Sequence, residues 1–205
     1  MSSEAALHHA RPDNAGARMG MWLFLFTELL LFGGLFLLFS VYYSRYPGEF
    51  HAGGQVLNRV MGTVNTVVLI TSSMTVALAV GSLQRGKVVF ARRCILLTIG
   101  LALIFLAIKY VEWSTKIHHG IYPGGPEYLT FPLGRMAFFN LYYLMTGLHA
   151  LHVIIGGIVL FWVWVRMGKG LVTPRRHVLL ENAGLYWHLV DLIWIYLFPL
   201  YYLVV

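Results

Sequence analysis

The sequence predicts an all-α integral membrane protein, a bundle of five transmembrane helices, on three observations. Of its 205 residues 59% are hydrophobic and only 11% charged, and the mean hydropathy is +0.71, which is too apolar for a soluble globular domain. Five apolar runs are each long enough for a helix across a hydrocarbon core, which needs about 20 residues. Six of the seven prolines fall outside those runs, as helix interiors require.

The first run spans residues 19–43. Residues 1–18, with His8, His9, Arg11, Asp13 and Arg18, lack the short apolar core and small-residue site of a cleaved signal peptide and are expected to form a cytoplasmic tail. Residues 19–205 are then one membrane domain. The second run covers residues 61–83 and the third 94–113. A long loop over 114–135, rich in glycine and proline and carrying His118 and His119, is expected to fold as an external turn region. The fourth run is 136–165. The fifth is 178–205, where Pro199 near the end is expected to kink or close the helix.

The basic residues set the expected orientation. Arg11, Arg18, Arg85, Lys87, Arg92, Arg93, Arg166, Lys169, Arg175 and Arg176 fall on one side of the five crossings, and Arg45, Arg59, Lys116 and Arg135 on the other. Lysine and arginine concentrate in cytoplasmic loops, so the N-terminus is expected in the cytoplasm and the C-terminus in the periplasm. The net charge of +7 is therefore a topological signal in short loops, and no nucleic-acid partner is expected. The single cysteine, Cys94, forms no internal disulfide and offers no cysteine pair to a metal.

Ionisable groups inside the runs are the candidates for chemistry, because an acid at mid-membrane costs roughly 2.5 to 3.5 kcal/mol on insertion scales and needs a partner. Glu28 sits about nine residues into the first run, roughly 13 to 14 Å deep at 1.5 Å per residue, with no charge near it in sequence. It reads either as a structural hydrogen bond to a neighbouring helix or as a proton- or lipid-linked group. Asn58, Asn65 and Ser72 recur at seven-residue steps and read as a polar packing seam, as do Gly33, Gly34, Gly147, Gly156 and Gly157. Lys109 and Glu112 share a helix face and are expected to pair near the outer surface.

Glu181, His188 and Asp191 lie on one broad face of the last run, flanked by Trp187 and Trp194. A histidine held between two acids and walled by indoles is a rigid helix junction on this reading. His149 and His152 also share a face. With His188 they could instead serve as axial ligands of a b-type haem, a competing function of another class. The residue set lacks the cysteine pairs or histidine triad of a copper or zinc site, and no metal is expected.

Five pieces of this sequence resemble subunit III of the haem-copper oxidases, the cytochrome c and quinol oxidase family. They are RMGMWLFLFTELLLFGG in the first run, NTVVLITSSMTVALA in the second, YVEW closing the third, TGLHALHVIIGG in the fourth and ENAGLYWHLVDLIWIYL in the fifth. They occur in the family's order and span nearly all of residues 18–203.

The resemblance implies a five-helix form of the subunit, the seven-helix form without its first two helices. It implies a multi-pass protein of the inner (plasma) membrane that holds no haem or copper and acts as a non-catalytic subunit in aerobic respiration with proton translocation. Oxygen is reduced to water in subunit I, the direct partner, with electrons from cytochrome c through subunit II or from a quinol. The resemblance further implies a bound phospholipid and a supporting role in proton uptake, with Glu28, Arg176 and His177 at those functions. It places Glu112, His149, His152, Glu181, His188 and Asp191 in an interhelical polar network, to which Asn65, Lys109, Trp187 and Trp194 are added from the helix-face reading. Lys109 departs from the glutamine frequent in relatives, and Ala150 from their glycine. The donor stays open among cytochrome c oxidase, quinol oxidase and a nitric oxide reductase-associated homologue.

Overall fold

A computed structural model describes residues 14–203; the expected tail residues His8, His9, Arg11 and Asp13 and the last two residues of the fifth run lie outside them. The described chain runs through α1 (Asn14–Arg45), α2 (Pro47–Gln55), α3 (Arg59–Gln84), α4 (Val88–His118), a 3-10 turn (Tyr128–Thr130), α5 (Leu133–Gly168) and α6 (Val178–Tyr202). Five of these are long and apolar enough to cross a membrane. The shortest, α6 with 25 residues, reaches about 37 Å against a hydrocarbon core of about 30 Å.

Four of the five membrane helices outrun the apolar segment that announced them, while α6, expected over 178–205, starts at Val178 and ends at Tyr202. α4 was expected over 94–113 and occupies Val88–His118, taking in Arg92, Arg93 and Lys116. Hydropathy marks the part of a helix in hydrocarbon, whereas the backbone ladder continues into the interface. The loop expected over 114–135 is correspondingly shorter, since helix persists to His118 and resumes at Leu133. α4 stops where Gly120 adopts φ +72° and Ile121 N–H donates to the Lys116 carbonyl at 3.0 Å, a reversal that glycine makes without a Cβ clash.

The sequence reading missed α2. Its signal is Pro47 in the first helical turn with Glu49 just after it, both favoured there. Phe50, Gly53 and Gly54 are buried, with Gly53 pressed against Phe138 of α5, and Glu49 pairs with Arg135 at 3.2 Å.

α6 is the hub. It packs against α1, α3 and α5, while α4 closes a four-helix core by packing on α3 and α5. α1 lies outside that core, on α5 and α6; only 17% of its apolar window is buried, against 50% for α6. Its buried positions Leu25, Phe32 and Phe39 recur at seven-residue steps, and Glu28 lies on the same face between the first two.

Large-to-small fits set the seams. A Cβ on Gly156 would meet the Trp187 ring at 2.8 Å, whereas Gly33, Gly34 and Gly157 meet nothing within 4 Å and are not close-packing positions among the described residues. Asn58 also leaves the expected stripe. It is the N-cap of α3, its Oδ1 accepting from Val60 N–H at 3.0 Å and Met61 N–H at 3.2 Å, while Asn65 and Ser72 are buried in the seam.

Candidate functional site

Polar groups gather at three levels of the bundle. At mid-membrane, fourteen residues into the 32-residue α1, Glu28 Oε2 lies 2.8 Å from Nε2 of His152 on α5. Glu28 is thus paired, and its isolation in sequence is a property of α1 alone. The imidazole is oriented from the other side, because Nδ1–H donates to the Leu148 carbonyl at 2.7 Å. That bond assigns Nε2 to the carboxyl, and one proton is shared between them, either as acid and neutral imidazole or as carboxylate and imidazolium. Phe32 packs edge-on to His152 at 5.4 Å.

The closing helix does not hold its histidine between two acids. His188 Nδ1 meets Ser73 Oγ of α3 at 2.6 Å. Glu181, one turn inside α6, instead accepts from Arg18 Nη2 at 2.7 Å and Gln84 Nε2 at 2.9 Å, with His177 Nε2 3.1 Å away. It ties the starts of α1 and α6 to the end of α3. Asp191 is buried and its Oδ1 has no hydrogen-bond partner among the described residues. The indoles do bridge helices as expected, with Trp187 Nε1–H donating to Ser72 Oγ and Trp194 Nε1–H to Thr66 Oγ1, both at 3.0 Å.

At the opposite end of the bundle, the Lys109–Glu112 pair is 2.9 Å long and enclosed, each residue 2% exposed. It joins three helices, because Tyr142 of α5 and Tyr202 of α6 both donate to Glu112 Oε1, at 2.9 and 2.7 Å. Lys109 Nζ also donates to Tyr202 Oη at 2.8 Å and lies 4.9 Å from the Trp194 ring. The pair expected from spacing therefore forms, and it is a buried junction between helices at that end of the bundle. Lys116 was read as a loop charge; the continuation of α4 past Trp113 puts it one turn from Glu112 on the same helix, and the end of α6 brings Tyr202.

His149 is fully buried between Phe105 and Trp194, ring centroids 5.6 and 5.2 Å away, and neither ring nitrogen, nor the Asn65 amide, finds a partner among the described residues. Both nitrogens of His152 are hydrogen-bonded, and His188 Nδ1 is engaged by Ser73. Arg176 is exposed in a tight turn where its N–H donates to the Thr173 carbonyl at 2.9 Å; His177 Nδ1–H donates to the Pro174 carbonyl at 2.7 Å.

Two grooves flank α6 beside the mid-membrane groups. One, of about 350 Å³, lies against α1 and is lined by Trp22, Leu25, Phe26, Leu29, Leu185 and His188, among others. The other, of about 460 Å³, lies against α3, and its lining includes Val80, Gln84, Glu181 and again Leu185 and His188. They share Leu185 and His188, and this cleft along α6 has apolar walls and, in the second groove, a polar end at Gln84 and Glu181, the latter paired with Arg18.

Comparison with known proteins agrees with this architecture. The family model for cytochrome c oxidase subunit III matches residues 1–204. The chain is 31% identical to cytochrome c oxidase subunit 3 of Thermostichus vulcanus, over 97% of this chain and 92% of that protein. It is 32% identical to the Corynebacterium diphtheriae protein of the same name, over 91% and 87%. It is also 31% identical to the heme-copper oxidase subunit I+III of Aeropyrum pernix, where 91% of this chain spans only 22% of the relative's length. With five membrane-length helices and a match over nearly its whole length, the chain belongs to the cytochrome c oxidase subunit III family.

Proposed function

We propose that this chain is the non-catalytic subunit III of an aerobic, proton-translocating terminal oxidase of the cytochrome c oxidase type. It packs beside subunit I, with subunit II in the same complex and the haem and copper in those partners. The fused subunit I+III relative supports contact with subunit I. Its membrane is the cell inner membrane, with the N-terminus cytoplasmic.

The observation that carries the functional reading is the Glu28–His152 pair at 2.8 Å. An acid at mid-depth on the most exposed helix, held to an oriented imidazole, can pass the shared proton between carboxyl and ring while the pair stays neutral overall in lipid. The adjoining cleft over α6 suits a phospholipid, its chains along Leu25, Phe26 and Leu189 and its headgroup towards Arg18, Arg176 and His177, where basic residues attract phosphate.

Pair and lipid together keep the flank of subunit I ordered and its proton entry supplied. Glu28→Ala in the assembled oxidase is expected to leave initial turnover nearly intact while shortening the catalytic lifetime. Sustained turnover equal to wild type refutes this role.

A further inference from the structure

At the end of the bundle where α4 stops and α3 begins, two lysines share one carboxylate. Lys109 holds Glu112 Oε2 at 2.9 Å. Lys116 reaches only Oε1, at 3.4 Å, and that oxygen already accepts from Tyr142 and Tyr202 at 2.9 and 2.7 Å, which fills its two lone pairs. Lys116 is therefore the under-compensated member of a group with two positive charges and one negative.

Its position makes this informative. Lys116 lies two residues from the end of α4, and a lysine there has the reach to extend its ammonium to water. It turns inward instead and is 6% exposed. An ammonium has three donors, and one long bond leaves it able to bind more.

A cavity of about 290 Å³ opens at this point, with Glu112 and Lys116 in its wall beside Asn58, Thr115 and His119, and Met61 and Ile121 on its apolar side. That volume is close to the lower end of ligand pockets, roughly 300 to 1,000 Å³. α3 starts at the same wall, and its N-terminal dipole adds to the positive field of the lysines. Val56 also lines the cavity and is partly exposed, and Val60 and Ile117, next in sequence to the lining residues Met61 and Lys116, are exposed apolar side chains, a surface suited to acyl chains.

We propose that this cavity binds the phosphate of an anionic headgroup, with Lys116 Nζ donating to a phosphate oxygen and the ligand neutralising the second lysine's charge. The site stands at the other end of the bundle from Arg18 and Glu181 and is independent of the cleft over α6. The phosphate comes from a membrane phospholipid or from the free ion, and one experiment separates the two.

The full chain, with the subunits that co-purify, is delipidated in detergent and titrated with phosphatidylglycerol, phosphatidylcholine or inorganic phosphate, and bound molecules are counted by native mass spectrometry. Wild type is expected to hold one more phosphatidylglycerol than Lys116→Met, with affinity at that site lowered about tenfold or more by the substitution, and Lys116→Arg is expected to restore it. Lys116-dependent binding of inorganic phosphate, displacing the lipid, supports the site with the free ion as source. Equal binding by wild type and Lys116→Met overturns the proposal, as does Lys116-dependent binding of phosphatidylcholine as tight as that of phosphatidylglycerol. Should Lys116→Met misfold, a headgroup-photoreactive phosphatidylglycerol on wild type decides: label within residues 112–121 or at Asn58 supports the site, and label confined elsewhere overturns it.

Discussion

Replacing Glu112 by glutamine removes the one negative charge from a group that also holds Lys109 and Lys116, while keeping the shape of the side chain. In the native protein the carboxylate takes a 2.9 Å bond from Lys109, a 3.4 Å bond from Lys116 and two tyrosine hydroxyls, and the Glu112 side chain is 1% exposed. Breaking a buried ion pair by removing one partner costs about 3 to 5 kcal/mol, mostly because the other charge is left uncompensated. Here two ammonium groups are left, so Glu112→Gln is expected at the upper part of that range, about a thousandfold in the folding equilibrium.

Lys109→Met is the informative control. It leaves one lysine facing one carboxylate, with both tyrosine bonds intact, and is expected to cost only about 1 to 3 kcal/mol for the lost charged hydrogen bond. Thermal and denaturant unfolding of the detergent-solubilised chain, followed by circular dichroism, measures both. The order Glu112→Gln worse than Lys109→Met tests the charge count directly. If Lys109→Met costs as much as Glu112→Gln, the shared-carboxylate reasoning is refuted.

Two further substitutions probe the α6 seams. Gly156→Ala places a methyl group 2.8 Å from the Trp187 ring, and the overpacking is expected to cost about 1 to 3 kcal/mol, read as a lowered unfolding temperature; Gly157→Ala, which meets nothing within 4 Å, should leave it unchanged. Ser72→Ala removes the acceptor of the buried Trp187 N–H and is expected to cost about 1 to 3 kcal/mol, with a shift in tryptophan fluorescence; wild-type stability would show that Trp187 finds another partner.

Much of this protein was legible in its residues. Length and mean hydropathy set the class, and the five apolar runs placed every membrane helix. Hydropathy could not place helix ends, since charged residues such as Arg92 and Lys116 continue a helix once they leave the hydrocarbon. It also could not see α2, a nine-residue helix whose stability comes from Phe50 packing on Phe138.

The polar residues divide differently. Helical spacing identified the pairs along one helix, and Lys109 with Glu112 is such a pair. It could not identify partners across helices, which depend on rotation and depth. Glu28 looked solitary because its partner, His152, is 124 positions away on α5; His188 looked held by acids because they share its helix, yet it bonds to Ser73 of α3.

A hydrocarbon solvent makes the spans readable residue by residue, because transfer energy is a property of each side chain. Partnership is a property of two helices, set by the close contacts of Gly156 with Trp187 and Gly62 with Tyr202 that fix their register. The residues thus specified which groups needed partners in the membrane, and the packing of α1, α3, α4 and α5 around α6 chose them.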